Sequence, residues 1–195
     1  ALKTLKEAWE LDPLRAEPLN YLGAVYYRQH QYDQAVDSFR KAVFCDPDNA
    51  MSHCNLGAAL EAKGVFDEAE ACYKKALKTD PSLLPAAYNL SLLYQTQKRN
   101  QEALQILMKL RDLSVGGYRI EQRLAELHCR MRRYDRAIRH AKAALEKNPN
   151  DASLHLLSGK IHFLWGRDRE AENDFKTALD FDPESAEAHY RLGLI

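Results

Sequence analysis

The stretch His53-Cys54-Asn55-Leu56-Gly57-Ala58-Ala59-Leu60, HCNLGAAL, decides how this chain folds, because distorted copies of it flank it at a fixed distance. Residues 19–26 read LNYLGAVY and residues 87–94 read AYNLSLLY, each 34 positions from the central copy. Self-similarity at a period of this length marks a chain built by repeating one supersecondary unit. Apolar residues over 19–27 and over 35–43 fall at helical spacing, so the unit contains helices.

Prolines confirm the ruler. Pro13, Pro47 and Pro81 are 34 apart, as are Pro149 and Pro183, and the absent member falls at Val115. Small residues recur in phase at Gly23, Gly57, Ser91, Ala125, Gly159 and Gly193. Three positions on stand Tyr26, Leu60, Tyr94, His128 and His162. A second small column runs Ala1, Ala35, Ala69, Ala103, Ala137 and Ala171, followed four residues later by Leu5, Phe39, Tyr73, Leu107, Ala141 and Phe175. Small side chains let two antiparallel helices approach closely, and bulky neighbours fill the grooves beside them. Asp46-Pro47-Asp48-Asn49 stops one helix and caps the next, since proline cannot continue a helix and Asn or Asp accepts orphan amides. The spacing predicts helices over 1–11, 16–29, 33–44, 50–63, 66–79, 84–97, 100–113, 118–131, 134–147, 152–165, 168–181 and 186–195.

These columns resemble the tetratricopeptide-repeat family over the whole length. The resemblance implies an all-α, right-handed α-solenoid, a superhelix of antiparallel helix pairs whose concave groove is lined by first helices. The expected organisation is a single array over 1–195. It comprises a half repeat at 1–15 (second helix alone), repeats at 16–49 and 50–83, a divergent repeat at 84–117, repeats at 118–151 and 152–185, and a half repeat at 186–195 (first helix alone). The divergent repeat ends with Gly116 and Gly117 in place of proline. That reads either as a hinge or as a helix cap of left-handed type.

The bulk properties exclude several functions. Lysine plus arginine and aspartate plus glutamate both total 28, and this zero balance argues against a general nucleic-acid or anionic-membrane binder. No stretch approaches the ~18 apolar residues of a membrane span. Cys45, Cys54, Cys72 and Cys129 form no CxxC pair, which favours free thiols in a reducing compartment and a cytoplasmic location. The chain begins with Ala1 rather than Met, and the expectation is a parent protein whose N-terminus lies upstream.

Nucleophile, zinc and phosphate-loop motifs are lacking, so no catalytic residue, metal or cofactor is expected. His53, His155 and His189 share one repeat position and suit packing better than metal binding. By the resemblance, the groove would be lined by first-helix residues. Among these, Asn55 and Asn89 occupy one repeat site, where a carboxamide can both donate to and accept from a peptide backbone. Tyr88 lies beside Asn89. Arg119 and Arg123 suit carboxylates, and Phe163 and Leu164 offer apolar anchors. The expected function is a non-catalytic protein–protein interaction scaffold that holds a peptide or helical segment of a partner, one of acidic character near the arginines. Two alternatives stand beside it: a self-assembling scaffold segment joined head to tail, and the substrate-recruiting arm of a larger enzyme such as a glycosyltransferase.

Overall fold

A computed structural model of the chain describes residues 15–195. The helix expected over 1–11, and with it nearly all of the half repeat at 1–15, lies outside the described residues. The fold class is the expected one: antiparallel helix pairs in series, with no strand among the described residues. Contacts divide the chain into two compact units, Ala1–Arg99 and Asn100–Ile195.

In the first unit, α1 (Ala16–Arg28) packs on α2 (Tyr32–Cys45), α3 (Ala50–Ala62) packs on α4 (Phe66–Thr79), and α5 is Leu84–Thr96. Each second helix also packs on the next first helix, α2 on α3 and α4 on α5. In the second unit, α6 (Asn100–Asp112) packs on α7 (Gly117–Arg130), which pairs with α8 (Tyr134–Lys147). The pair α9 (Ala152–Leu164) and α10 (Asp168–Phe181) follows, and α11 (Ala186–Leu192) rests on α10. Helix ends fall within about one residue of the expected ones, except that α11 stops at Leu192.

The columns of small residues have a direct steric cause. A Cβ added to Gly23 would stand 2.6 Å from the Phe39 ring, one at Gly57 2.7 Å from the Tyr73 ring, and one at Gly159 2.5 Å from the Phe175 ring. These approaches are far inside van der Waals contact, so the aromatic ring occupies the space a side chain would need. Where the first residue grows, the second shrinks: Ala125 is matched by Ala141, both buried in one core cluster. Pair volume, rather than either residue, is what the repeat holds fixed.

Turns inside each helix pair follow one recipe. The residue after the first helix adopts a left-handed conformation at His30, Gly64, Lys98, Arg132 and Gly166. The next N–H reaches back five residues, as in Gln31 to Tyr26, Val65 to Leu60 and Arg133 to His128. This is the Schellman closure. The proline-free turn uses it too: Ser114 has φ 56° and the Val115 N–H donates to the Leu110 carbonyl at 3.1 Å. Thus a left-handed cap forms here, but on Ser114, while Gly116 (φ 87°) and Gly117 (φ 56°) bend the chain into α7.

At the proline turns, Asn49 Oδ1 accepts from the Ser52 N–H at 2.9 Å and Asp151 Oδ1 from the Ser153 N–H at 2.9 Å. The imidazoles of His53, His155 and His189 each donate from Nε2 to the carbonyl of the proline six residues earlier, at 2.9, 2.8 and 2.9 Å. A proline carbonyl outside the helix has no ladder partner, and a histidine one turn into the helix supplies one. Packing and turn closure therefore account for this histidine column.

Candidate functional site

The first-helix faces of the two units differ in chemistry. In the first unit, Asn55 on α3 is half-buried and forms no hydrogen bond with another described residue. It lines a pocket of about 140 Å³ with Ala24, Tyr27 and Arg28 of α1, Phe39 of α2 and Ala58 of α3. The helix spacing that Gly23 and Gly57 permit leaves Ala24 and Ala58 as the walls. Tyr27 stands at the rim, its ring edge-on to Tyr32 at 5.5 Å. Partial burial, followed by the proximity of Tyr32 and then Glu61, raises the Tyr27 hydroxyl above its ordinary pKa, so it stays a neutral donor.

Asn89, at the same repeat site on α5, has other company. Its carboxamide acts on the Tyr73 hydroxyl, which donates to Glu61 Oε2 at 2.7 Å. Burial, and then the bond to Glu61, push the Tyr73 pKa upward. The two asparagines thus share a register but not an environment: one is open to a ligand, the other is tied into a polar cluster behind the face. Tyr88 is half-buried beside it, and Leu92, one turn on, is exposed. Asn20, one position off the asparagine column, donates to Ser52 Oγ at 2.7 Å and links α1 to α3.

In the second unit, ion pairs thread the face. Arg123 on α7 pairs with Glu126 at 3.0 Å, and Gln122 donates to the same carboxylate. The exposed Arg119 lies 5.9 Å from the centre of the neighbouring Tyr118 ring. Lys160 on α9 reaches Glu187 on α11 at 2.9 Å, and Arg191 approaches the same carboxylate at 3.4 Å. The Lys160 ammonium holds the Glu187 carboxyl below its ordinary range. Phe163 is half-buried with the Arg191 guanidinium 6.0 Å from its ring centre. Leu164 and Tyr190 are 53% and 64% exposed, beyond what packing within the unit requires.

Sequence reasoning missed the polar clusters on the other side of the helix pairs. Glu70 on α4 accepts a forked pair from Arg99 at 2.6 and 3.2 Å and a bond from the Tyr94 hydroxyl at 3.1 Å, and it pairs with Lys74 at 2.6 Å. The Arg99 guanidinium beside it holds the Glu70 carboxyl down at about 2. In the second unit, His162 Nδ1 donates to Asp174 Oδ2 at 2.7 Å, and the Ser158 hydroxyl donates to the same oxygen at 2.6 Å. His128 stacks on His140 at 5.3 Å, and His140 Nδ1 in turn bonds the buried Glu121 at 2.7 Å. The signal for these clusters was present, since Tyr94, His128 and His162 form one column. Their partners come from different helices in each repeat, however, and only the packed structure identifies them.

Among the described residues, no three acidic, histidine or cysteine side chains are placed to hold a metal ion. No helix among them is long and apolar enough to cross a membrane. None of the four cysteines is in a disulfide, and burial raises the Cys54 and Cys72 thiols to about 11, which makes them poor nucleophiles.

Comparison with known proteins agrees with these columns. Tetratricopeptide-repeat family profiles match residues 50–83, 84–113 and 119–161, and a TPR-repeat profile matches residues 26–64. The fold is similar to that of YrrB, described as a TPR protein with an unusual peptide-binding site. The TM-score is 0.74 at 18% identity, covering 97% of this chain and 98% of YrrB. MamA from Desulfovibrio magneticus RS-1 superposes with TM-score 0.74 at 16% identity, covering 88% of this chain and 97% of that one. Among curated proteins, Superkiller complex protein 3 of Mus musculus is 33% identical over 96 residues, which are 49% of this chain and 6% of that protein. The protein O-mannosyl-transferase Tmtc2 of Drosophila melanogaster is 39% identical over 70 residues, 35% of this chain and 8% of that protein. The chain therefore spans less than a tenth of the length of the curated relatives it matches.

Proposed function

This chain belongs to the tetratricopeptide-repeat family, and on that premise we propose that it is a non-catalytic module holding a peptide segment of a partner protein on its first-helix faces. The observation that carries this reading is the Asn55 pocket. A half-buried carboxamide with no internal partner sits among Ala24, Tyr27, Arg28, Phe39 and Ala58. This carboxamide offers a peptide unit both a donor and an acceptor whatever its side chain. Asn89 and Tyr88 extend the face along α5. In the second unit, Phe163 and Leu164 serve as apolar anchors, with Arg119 and Arg123 favouring acidic residues in the ligand. Most of the affinity comes from the apolar anchors, because exposed ion pairs add only ~0–1 kcal/mol each.

The test is selection of binders from a displayed peptide library, followed by calorimetry. Asn55→Ala is expected to weaken a selected peptide by about five- to tenfold, the worth of one hydrogen bond to a desolvated amide. If every selected peptide binds Asn55→Ala and Tyr27→Ala as tightly as the parent, the first-unit assignment is wrong.

A second reading draws on the likeness to a segment of an O-mannosyl-transferase: the module recruits substrate for a larger enzyme. It keeps the same peptide-binding faces and differs in what lies elsewhere in the chain. Acceptance of the selected peptides as substrates by the parent protein would establish it.

A further inference from the structure

The side chains of Tyr94, His128 and His162 occupy one repeat position, and two of the three have a carboxylate. Tyr94 bonds Glu70 at 3.1 Å and His162 bonds Asp174 at 2.7 Å. His128 has none. It is 3% exposed, and its Nδ1 is buried with no hydrogen-bond partner. Glu70 advanced by one 34-residue period is Leu104, and Asp174 set back by one is His140. Both places from which an acid reaches this column are thus filled here by residues that carry no negative charge.

The cationic half of the arrangement persists. Arg99, which forks onto Glu70, recurs one period later as Arg133. Arg133 and Arg136 form no side-chain ion pair or hydrogen bond among the described residues, yet both act on His128 electrostatically. The His128 ring lines a pocket of about 300 Å³ floored by Leu104 and Met108 of α6 and rimmed by Arg111, Arg136 and Arg139. Three acids stand near. Asp112 takes Arg111 at 3.0 Å, Asp135 takes Arg139 at 2.8 Å, and Glu121 is bound to His140 at 2.7 Å, with Lys147 3.8 Å away. None of the three forms a hydrogen bond or ion pair with His128, Arg133 or Arg136, although the Asp135 charge partly offsets the arginines at His128. The local balance is positive beside a buried imidazole without a partner.

We propose that this pocket, formed by α6, α7 and α8, binds the carboxylate of an acidic side chain presented by a partner protein, which takes the place that Glu70 and Asp174 fill elsewhere in the chain. Arg136, in the lining, supplies the charge-assisted bond, Arg133 adds its field at His128, His128 adds a ring N–H, and Leu104 and Met108 pack against the methylenes of the incoming residue. The lining comes from second helices and His128, not from Arg119, Arg123, Phe163 or Leu164. The site therefore stands independently of the first-helix faces and gives the module a second point of attachment.

The experiment follows the His128 imidazole resonances of the whole chain. The probes are N-acetyl-aspartate N-methylamide, inorganic phosphate and chloride at matched ionic strength. The aspartate probe is expected to shift His128 saturably and to raise its titration midpoint, while chloride leaves both unchanged. Arg133→Gln combined with Arg136→Gln should weaken that binding by about tenfold. Leu104→Glu, which restores the acid from within, should abolish the response and raise the His128 midpoint without any probe. If that variant does not fold, the double arginine variant, in which Arg136 lies at the rim, still decides the matter. A response equal for chloride, or unchanged in the double arginine variant, overturns the proposal. So does saturable binding of phosphate with none of the carboxylate probe, which would assign the pocket to a phosphoryl group.

Discussion

Glu70 in the first unit and Leu104 in the second stand at one position of the repeat; one period on, Arg99 recurs as Arg133, while Lys74 becomes Met108 and Tyr94 becomes His128. Around Glu70, Arg99, Lys74 and Tyr94 close a complete polar cluster. Around Leu104, Arg133 and His128 remain and the acid is gone. Packing columns behave otherwise: where Gly gives way to Ala125, the aromatic ring gives way to Ala141. A steric pair in a dense interior must change together. A charge beside solvent can lose its partner and leave a site behind.

The largest expected effect tests the steric half of this contrast. Gly159→Ala drives a methyl into the Phe175 ring and should destabilise by about 3 kcal/mol in urea denaturation. Adding Phe175→Leu, which frees ring volume as Ala141 does opposite Ala125, should recover at least half of that loss. If the double variant is no better than the single one, pair volume is not what the column preserves.

Next comes the charge half. Glu70→Leu writes the second unit's residue into the first and should cost about 2 kcal/mol, the worth of a charge-assisted bond at a mostly buried acid. Because the folded Glu70 pKa, about 2, lies below the ordinary 4.5, its contribution is complete above pH 4.5. It fades as the pH falls through 2. The difference between parent and variant should therefore vanish over that window.

The second unit should respond to acid earlier. Burial first, then the proximity of His140 and the arginines, depress His128 from 6.5 to about 4. An unfolded chain takes up that proton before the folded one, so stability is full above pH 6.5 and declines as the pH falls to 4. Hydrogen exchange should show α7 and α8 losing protection, by roughly 1–2 kcal/mol, at a pH where α4 and α5 have lost none. His128→Leu, which copies Leu60, should remove that slope. Equal pH profiles for the two units would erase the contrast.

The smallest effect concerns the turns. Lys98 and Arg132 hold left-handed φ values of 61° and 57° where Gly64 and Gly166 stand in sister repeats. Lys98→Gly and Arg132→Gly should each raise stability by about 0.5–1 kcal/mol. Neutral or negative changes would show that their side chains contribute more than the strain costs.

Much of this architecture was legible before folding. The 34-residue period, the small columns and the proline turns placed the helices to within about one residue. They did so because steric columns and caps are local and recur in place. The histidines after Pro47, Pro149 and Pro183 were visible as a column, but the proline carbonyl six residues back, their reason, was not. The candidate site was legible only in part. Asn55 and Asn89 read alike, yet Tyr73, itself bound to Glu61, engages Asn89, while no described residue hydrogen-bonds Asn55. That difference depends on which helices meet, which no residue announces alone. The His128 pocket was hidden for the same reason, since it is defined by a missing Glu70 counterpart and becomes visible only once the repeats are laid over one another in space.

Amide chemical-shift mapping of the isotope-labelled chain with a library-selected peptide tests the central claim most directly. Perturbations should concentrate on first helices, around Tyr27 and Asn55 in α1 and α3 and around Phe163 and Leu164 in α9. A peptide that perturbs only α2, α4 and α10, while leaving every first helix unmoved, would contradict it.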